Sequence, residues 1–523
     1  MKKNVLALSI ATAVVGFAGS AHAITEKVAT GTTATALQFS NTGKGHMLLV
    51  PYFSTQEGNA TLLSLVNTDT TVGKAVKVRF RGAKNSDDIF DFQVFLSPGD
   101  VWTANISQNA AGLSFLTTED NSCTKPSKAE INSTPFVTKR LNQKDADKAN
   151  GTREGYIEIF NMADIPESDS GVYPLIKHKD GVAKCANDGK NTAWSALDKD
   201  RTYLQYTRDA KTAADATDKV PFIGFANPTD GLMANWTIMN VPKALSWSGS
   251  AAGIEAVIAG ATPRAGAGSL VYFPQMETAA SPQQITDFTA DPLFATVAPA
   301  TKPVVKASLY DLPDMSTPYA GAANPLAQAD LLSKALAATQ VANEFWTEAS
   351  IEADTDWVFT MPTRRYNVAV DYAPVGAADT PAAIYTTGAT YFTTANTEID
   401  GDAICVNDVT SFIWDREEGT TVSGPVISPG NTAAPFCGEV SVLGFNDAGS
   451  TTSAVVSGKV ALKHLDTGKF VNGWGGLVTP GNDDLGLPVL GTSFVKAYNP
   501  AAAEGVAGNY GISWSHRYTR PAP

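Results

Sequence analysis

Apolar and polar positions alternate in short runs near the front of the chain. Val76, Val78 and Phe80 alternate with Lys77, Arg79 and Arg81, the pattern of a half-buried strand with a basic outer face. Phe90, Phe92, Val94 and Leu96 share one face, with Asp91 and Gln93 opposite. Ser97-Pro98-Gly99-Asp100 then reads as a turn, because Pro98 presets φ and Gly99 tolerates a positive φ. Val101 to Ile106 is the returning strand, and Met47 to Phe53 and Leu62 to Val66 read as strands before it. Short strands separated by turn signals predict an antiparallel sandwich.

The pattern then changes. Residues 108–152 and 161–220 hold polar clusters such as Lys144-Asp145-Ala146-Asp147-Lys148, and read as long loops interrupted by one strand, Tyr156 to Phe160. Met233 to Met239 resumes the sheet, with Trp236 inside it. Residues 259–268 are small and nearly uncharged, which suggests a boundary. A short strand, Leu270 to Phe273, and an extended Thr/Ala/Pro-rich connection over 285–305 follow. Asn324 suits a helix cap and Pro325 the first helical position, and no Gly or Pro interrupts Leu326 to Phe345, so one helix is expected over 326–345. Its face would carry Leu332, Leu336 and Val341.

Strands are expected again at Trp357–Met361, Tyr366–Tyr372, Val440–Phe445, Val455–Leu462 and Leu487–Phe494. At the end, Tyr510, Ile512, Trp514, His516 and Tyr518 alternate with Gly511, Ser513, Ser515 and Arg517. The expected architecture is mainly β: two antiparallel sandwich-like domains, 24–258 and 269–523, joined by a linker over 259–268, with long loops and one notable helix. Irregular strand spacing, the helix and the ending Arg520-Pro521-Ala522-Pro523 speak against an outer-membrane barrel.

The N-terminus changes the picture. Lys2 and Lys3, the apolar stretch Val5 to Phe17, and Ala21-His22-Ala23 follow the order of a cleavable signal peptide over 1–23. No later segment reaches the ~18 apolar residues of a membrane helix. Export to the periplasm, the cell surface or the medium of a Gram-negative bacterium is therefore expected. An oxidising compartment suits the four cysteines, Cys123, Cys185, Cys405 and Cys437, none of which lies in a CxxC motif. Of three connectivities, the sequence-local one is expected: Cys123 with Cys185 and Cys405 with Cys437. The alternative is free buried thiols. The formal charge of −13 grows more negative once Lys2 and Lys3 leave, which argues against nucleic-acid binding.

Catalytic signatures are sparse. His46, His178, His464 and His516 form no HExxH pair, and GxSxG, P-loop and dinucleotide-binding motifs are missing. His516 reads as a packed residue rather than a base. Carboxylate pairs such as Asp87-Asp88, Glu417-Glu418 and Asp483-Asp484 read as surface loops, although a glycosidase would use two such groups. Asp400 and Asp402 precede Cys405 and are weak calcium candidates, without an EF-hand pattern. No other cofactor is expected. Nine tryptophans could stack on sugars if exposed, but Trp102, Trp236 and Trp514 lie in strand patterns that favour the core.

Several stretches carry a resemblance: Leu48-Leu49-Val50-Pro51-Tyr52-Phe53, Leu65-Val66-Asn67-Thr68, Val76 to Arg81, and Phe95-Leu96-Ser97-Pro98-Gly99-Asp100-Val101-Trp102. Arg153 to Glu158, Val471-Asn472-Gly473-Trp474, Gly486-Leu487-Pro488-Val489 and Asn509-Tyr510-Gly511 add to it. Together they resemble a group of uncharacterised proteobacterial cell-surface proteins. The resemblance implies a secreted, β-rich, surface-layer-like protein and carries over no catalytic residue.

These readings converge on a non-enzymatic, structural or self-assembling protein of the cell envelope, associating with itself or with envelope glycans. The other readings are an adhesin or carbohydrate binder, and a secreted hydrolase.

Overall fold

The computed structural model describes residues 22–23, 34–142, 144–198, 223–260, 268–272, 275–276, 314–317, 319–321, 325–372, 380–420, 432–433, 436–445, 449–504 and 506–521. Residues 1–21 of the expected leader, the connection over 285–305, Asn324 and Phe273 lie outside them.

Twelve strands build the first half: β1 (Ala36–Phe39), β2 (Met47–Ser54), β3 (Asn59–Asn67), β4 (Val72–Gly82), β5 (Asp88–Leu96), β6 (Val101–Gln108), β7 (Ser114–Thr117), β8 (Cys123–Lys125), β9 (Glu154–Pro166), β10 (Leu232–Asn240), β11 (Leu245–Ser250) and β12 (Ala252–Val257). They form a seven-stranded sheet in the order β1-β12-β2-β9-β4-β5-β8 and a five-stranded sheet in the order β11-β10-β3-β6-β7. The β5–β6 turn has Gly99 at φ 70°, as the Pro-Gly signal requires. Phe53, Phe80, Phe92, Trp102 and Trp236 fill the space between the sheets.

Ten strands form the two larger sheets of the second half: β13 (Gln340–Trp346), β14 (Asp354–Thr360), β15 (Thr410–Asp415), β16 (Thr432–Ala433), β17 (Val440–Gly444), β18 (Leu462–His464), β19 (Asn472–Val478), β20 (Leu490–Ala503), β21 (Val506–Ser515) and β22 (Arg517–Thr519). Their two five-stranded sheets run β16-β15-β19-β13-β22 and β18-β17-β14-β20-β21. The protein is thus mainly β, with antiparallel, sandwich-like pairs of sheets and few helices. The aromatic C-terminal run changes sheet at His516, which is buried between the two layers.

Four local expectations are corrected. The basic face of β4 is not exposed: Lys77, Arg79 and Arg81 are fully buried. Acidic partners make this tolerable, since a buried charge must be paired. Lys74 meets Asp164 at 2.8 Å, Lys77 pairs with Asp91, Arg79 with Asp88, and Arg81 with Glu158 at 3.1 Å. A further layer covers that side of the sheet, with Met162, Leu175, Ile176 and Tyr272 clustered around Cys123.

The helix runs only over Pro325–Leu336. Leu332 and Leu336 are buried as expected. Val341 and Phe345 are instead buried at alternate positions of β13, which pairs with β19 on one side and β22 on the other. Sheet pairing on both sides overrides local helix propensity there. Residues 455–461 form no strand; only Leu462–His464 does. The amides of Val455 and Val456 bond to the Asp356 carboxylate instead of to a neighbouring strand. Leu270 to Tyr272 is a buried segment rather than a strand, held by the Val271 amide donating to the Met162 carbonyl at 3.0 Å.

The halves share packing. Phe494 of β20 lies against Tyr52, Trp236 and Trp247 of the first half. Trp247 Nε1 donates to the Val495 carbonyl at 2.8 Å. One buried cluster therefore runs from the first sandwich into Val358, Val442, Val455 and Phe494.

Candidate functional site

The outer face of the sheet containing β15, β19 and β13 carries large aromatic side chains. In β15, Ile413 points into the core, so Phe412 and Trp414 point out. In β19, Leu477 points in, so Trp474 and Gly476 point out. In β13, Val341 and Phe345 point in and Ala342, Glu344 and Trp346 point out. Strand register sets the rows: Trp414 lies opposite Trp474, which lies opposite Glu344; Phe412 lies opposite Gly476, which lies opposite Ala342.

The rings form an ordered patch. Trp414 and Trp474 are 7° from parallel with centroids 6.4 Å apart. Phe412 meets Trp474 edge-on at 5.6 Å. Trp346, two positions beyond Glu344, meets Trp514 edge-on at 5.3 Å. Trp474 is 45 % exposed, the largest aromatic ring this open to solvent among the described residues. Gly476 leaves room for the Phe412 ring, because a Cβ there would lie 2.5 Å from that ring and 2.8 Å from the Val341 carbonyl. Glu344 is exposed beside Trp474 and makes no side-chain hydrogen bond or ion pair among the described residues. An exposed aromatic face with a free acceptor at its rim can stack on the C–H face of a sugar ring and accept from its hydroxyl.

The tryptophan reading is corrected in part. Trp102 and Trp236 are core residues, but Trp514 is only half-buried.

The other anticipated residues fall elsewhere. The two local disulfides, Cys123–Cys185 and Cys405–Cys437, are both formed, and no free thiol remains. Asp402 faces Lys84 at 3.0 Å and accepts from Asn142 Nδ2 at 2.8 Å. Asp400 faces Lys463 at 3.7 Å, so each carboxylate has its own lysine. Asp400 also lies near Cys405 and Cys437, whose sulfurs are bonded to each other and offer no thiolate to a metal.

The histidines are structural in their geometry. His516 stacks on Phe359 at 4.4 Å and bonds the Val358 carbonyl through Nε2 at 3.1 Å. Burial pushes its pKa down to about 3, and that of His46 down to about 4. His178 lies 3.3 Å from Ser97 Oγ and 3.5 Å from Asp100 Oδ2, but both contacts fall on Nδ1. A hydrolytic relay uses one ring nitrogen for the hydroxyl and the other for the carboxylate. Asp87 and Asp88 point apart: Asp87 accepts from Tyr372 at 2.6 Å, and Asp88 takes Arg79 and Arg140.

A concave feature of about 500 Å³ lies on the outer face of the five-stranded sheet of the first half, lined by Leu62, Ser64, Thr103, Asn105, Thr117 and Thr237. Its lining carries one charge, Glu119.

Comparison of the chain with family models, with curated proteins and with solved structures finds no match.

The aromatic patch was the feature least visible in sequence. Phe412 and Trp414 flanking Ile413, and Trp474 set among Gly473, Gly475 and Gly476, were its only local signals.

Proposed function

We propose that the chain is a non-enzymatic protein of the bacterial cell exterior that binds glycans through the Trp414–Trp474 face. The observation that carries this reading is the exposure of Trp474 within an array of parallel and edge-on rings. Exposed aromatic patches of this kind are unfavourable in water unless a ligand covers them. The rim acceptor Glu344 adds directionality that apolar docking alone lacks. Two disulfides, and the absence of any described helix long and apolar enough to cross a membrane, are compatible with a secreted protein. The test is retention of the purified chain on an array of bacterial and plant glycans. Reproducible retention on a defined class of sugar is expected, and no retention on any would remove this reading.

A second reading, self-assembly into a surface layer, is favoured by one observation. Facing rows of the five-stranded sheet are neutral: Ser250, Asn235, Ser64 and Thr103 lie side by side. In a chain of formal charge −13, that is where another copy can approach without charge repulsion. Sedimentation and electron microscopy of the purified protein check it: ordered sheets support assembly, and a monomer at all concentrations excludes it.

A further inference from the structure

The loop over 453–460, where sequence suggested a strand, is held by two buried carboxylates, one from each sandwich. Asp356 of β14 accepts from the amides of Val455 at 2.9 Å and Val456 at 2.8 Å, and from the Ser453 side chain. Glu154, at the start of β9, accepts from the amide of Lys459 at 2.8 Å and of Val460 at 3.3 Å. Asn59 Nδ2 of β3 donates to the Val456 carbonyl at 2.8 Å. Val455 and Val456 are buried in the cluster shared by the halves. The loop therefore belongs by sequence to the second sandwich and is fastened to both.

Neither carboxylate makes an ion pair among the described residues. Glu154 is met by Tyr52 Oη at 3.1 Å and Gln56 Nε2 at 2.6 Å, both neutral donors. Asp356 Oδ1 is buried without a hydrogen-bond partner among the described residues. The charged groups nearby already have partners: Asp354, on the same strand as Asp356, pairs with Lys496 at 2.9 Å, and Lys459 pairs with Glu57 at the surface. Tyr52 faces both acids and stays protonated, because burial and the Glu154 charge push its pKa up.

We propose that residues 453–460 form a proton-linked latch between the two sandwiches, tight while Asp356 and Glu154 hold protons and looser when they ionise. An ionised carboxylate in a site with no cation and an unpartnered oxygen costs several kcal/mol in desolvation, and opening the loop returns it to water. Burial raises both acids above their ordinary range, Asp356 to about 6. A group with a raised pKa in the closed state stabilises that state fully below its ordinary pKa, and this is lost as pH rises through the raised value. Asp356 thus holds the latch firm near pH 4 and loosens it as pH rises through about 6, and Glu154 acts in the same direction.

Amide hydrogen exchange of the full chain tests this, with rates expressed as protection relative to the intrinsic rate at each pH. The amides of Val455, Val456, Lys459 and Val460 are compared with that of Val78 in β4. Between pH 4.5 and 6 the wild-type loop is expected to lose protection about tenfold per pH unit through the proton that Asp356 releases. The variant D356N/E154Q should show a flat profile. A wild-type loop whose protection relative to Val78 does not change with pH overturns the proposal, as does an unchanged slope in the variant. Should the double variant fail to fold, the wild-type profile alone decides.

Discussion

The guanidinium of Arg81 meets the carboxylate of Glu158 at 3.1 Å with both side chains fully buried. The pair joins β4 to β9 in the middle of the seven-stranded sheet, and Tyr156 Oη donates to the same carboxylate at 3.0 Å. Removing one partner strands the other charge in a dry site. Arg81→Ala or Glu158→Ala is expected to cost about 3–5 kcal/mol. Replacing both by apolar residues of similar size is expected to cost much less than the two single changes added together. Urea unfolding of the three variants measures this, and additive losses would contradict it.

Asp87 and His46 predict opposite responses to pH. Burial raises the pKa of Asp87 from the ordinary carboxylate value to about 6, so its share of stability is full below pH 3.8 and is lost as pH rises to 6. Burial lowers His46 from 6.5 to about 4, so its share is full above pH 6.5 and is lost as pH falls to 4. Asp87→Asn keeps the hydrogen bond to Tyr372 available while removing the proton uptake. Between pH 6 and 4 the variant should therefore lose stability on acidification more steeply than the wild type. Thermal unfolding across that range checks it; parallel curves would contradict it.

The Cys123–Cys185 bridge ties β8 to the layer that covers the outer side of the seven-stranded sheet. Cys123→Ala with Cys185→Ala is expected to lower stability by about 3–4 kcal/mol, from the added entropy of the unfolded chain. Limited proteolysis should then cut first within residues 161–198, the segment that the bridge fastens. Cleavage elsewhere, with that segment still protected, would contradict this.

The β class and the cysteine pairing were legible because both rest on local pattern: period-two alternation around Val76 and Phe92, and cysteines close in sequence. The buried state of Lys77 and Arg79 was not legible, because alternation says which residues share a face and not whether another layer covers it. Glu158, the partner of Arg81, lies 77 residues away. The helix end at Leu336 was hidden too, since no Gly or Pro breaks Leu326 to Phe345 and the strand partner of β13 begins only at Asn472. The tryptophan face escaped for a related reason. When both faces of a strand carry large apolar residues, as Ile413 and Trp414 do, alternation cannot say which one meets water.

The measurement closest to the central claim is titration of the wild type, Trp474→Ala and Trp414→Ala with the glycan class that the array identifies. Each substitution on this outer face should leave unfolding within about 0.5 kcal/mol of the wild type, because neither ring belongs to the core. Each should weaken glycan binding by about tenfold, the loss of one aromatic stacking contact. Binding that is equally strong in the wild type and in both variants would contradict the account.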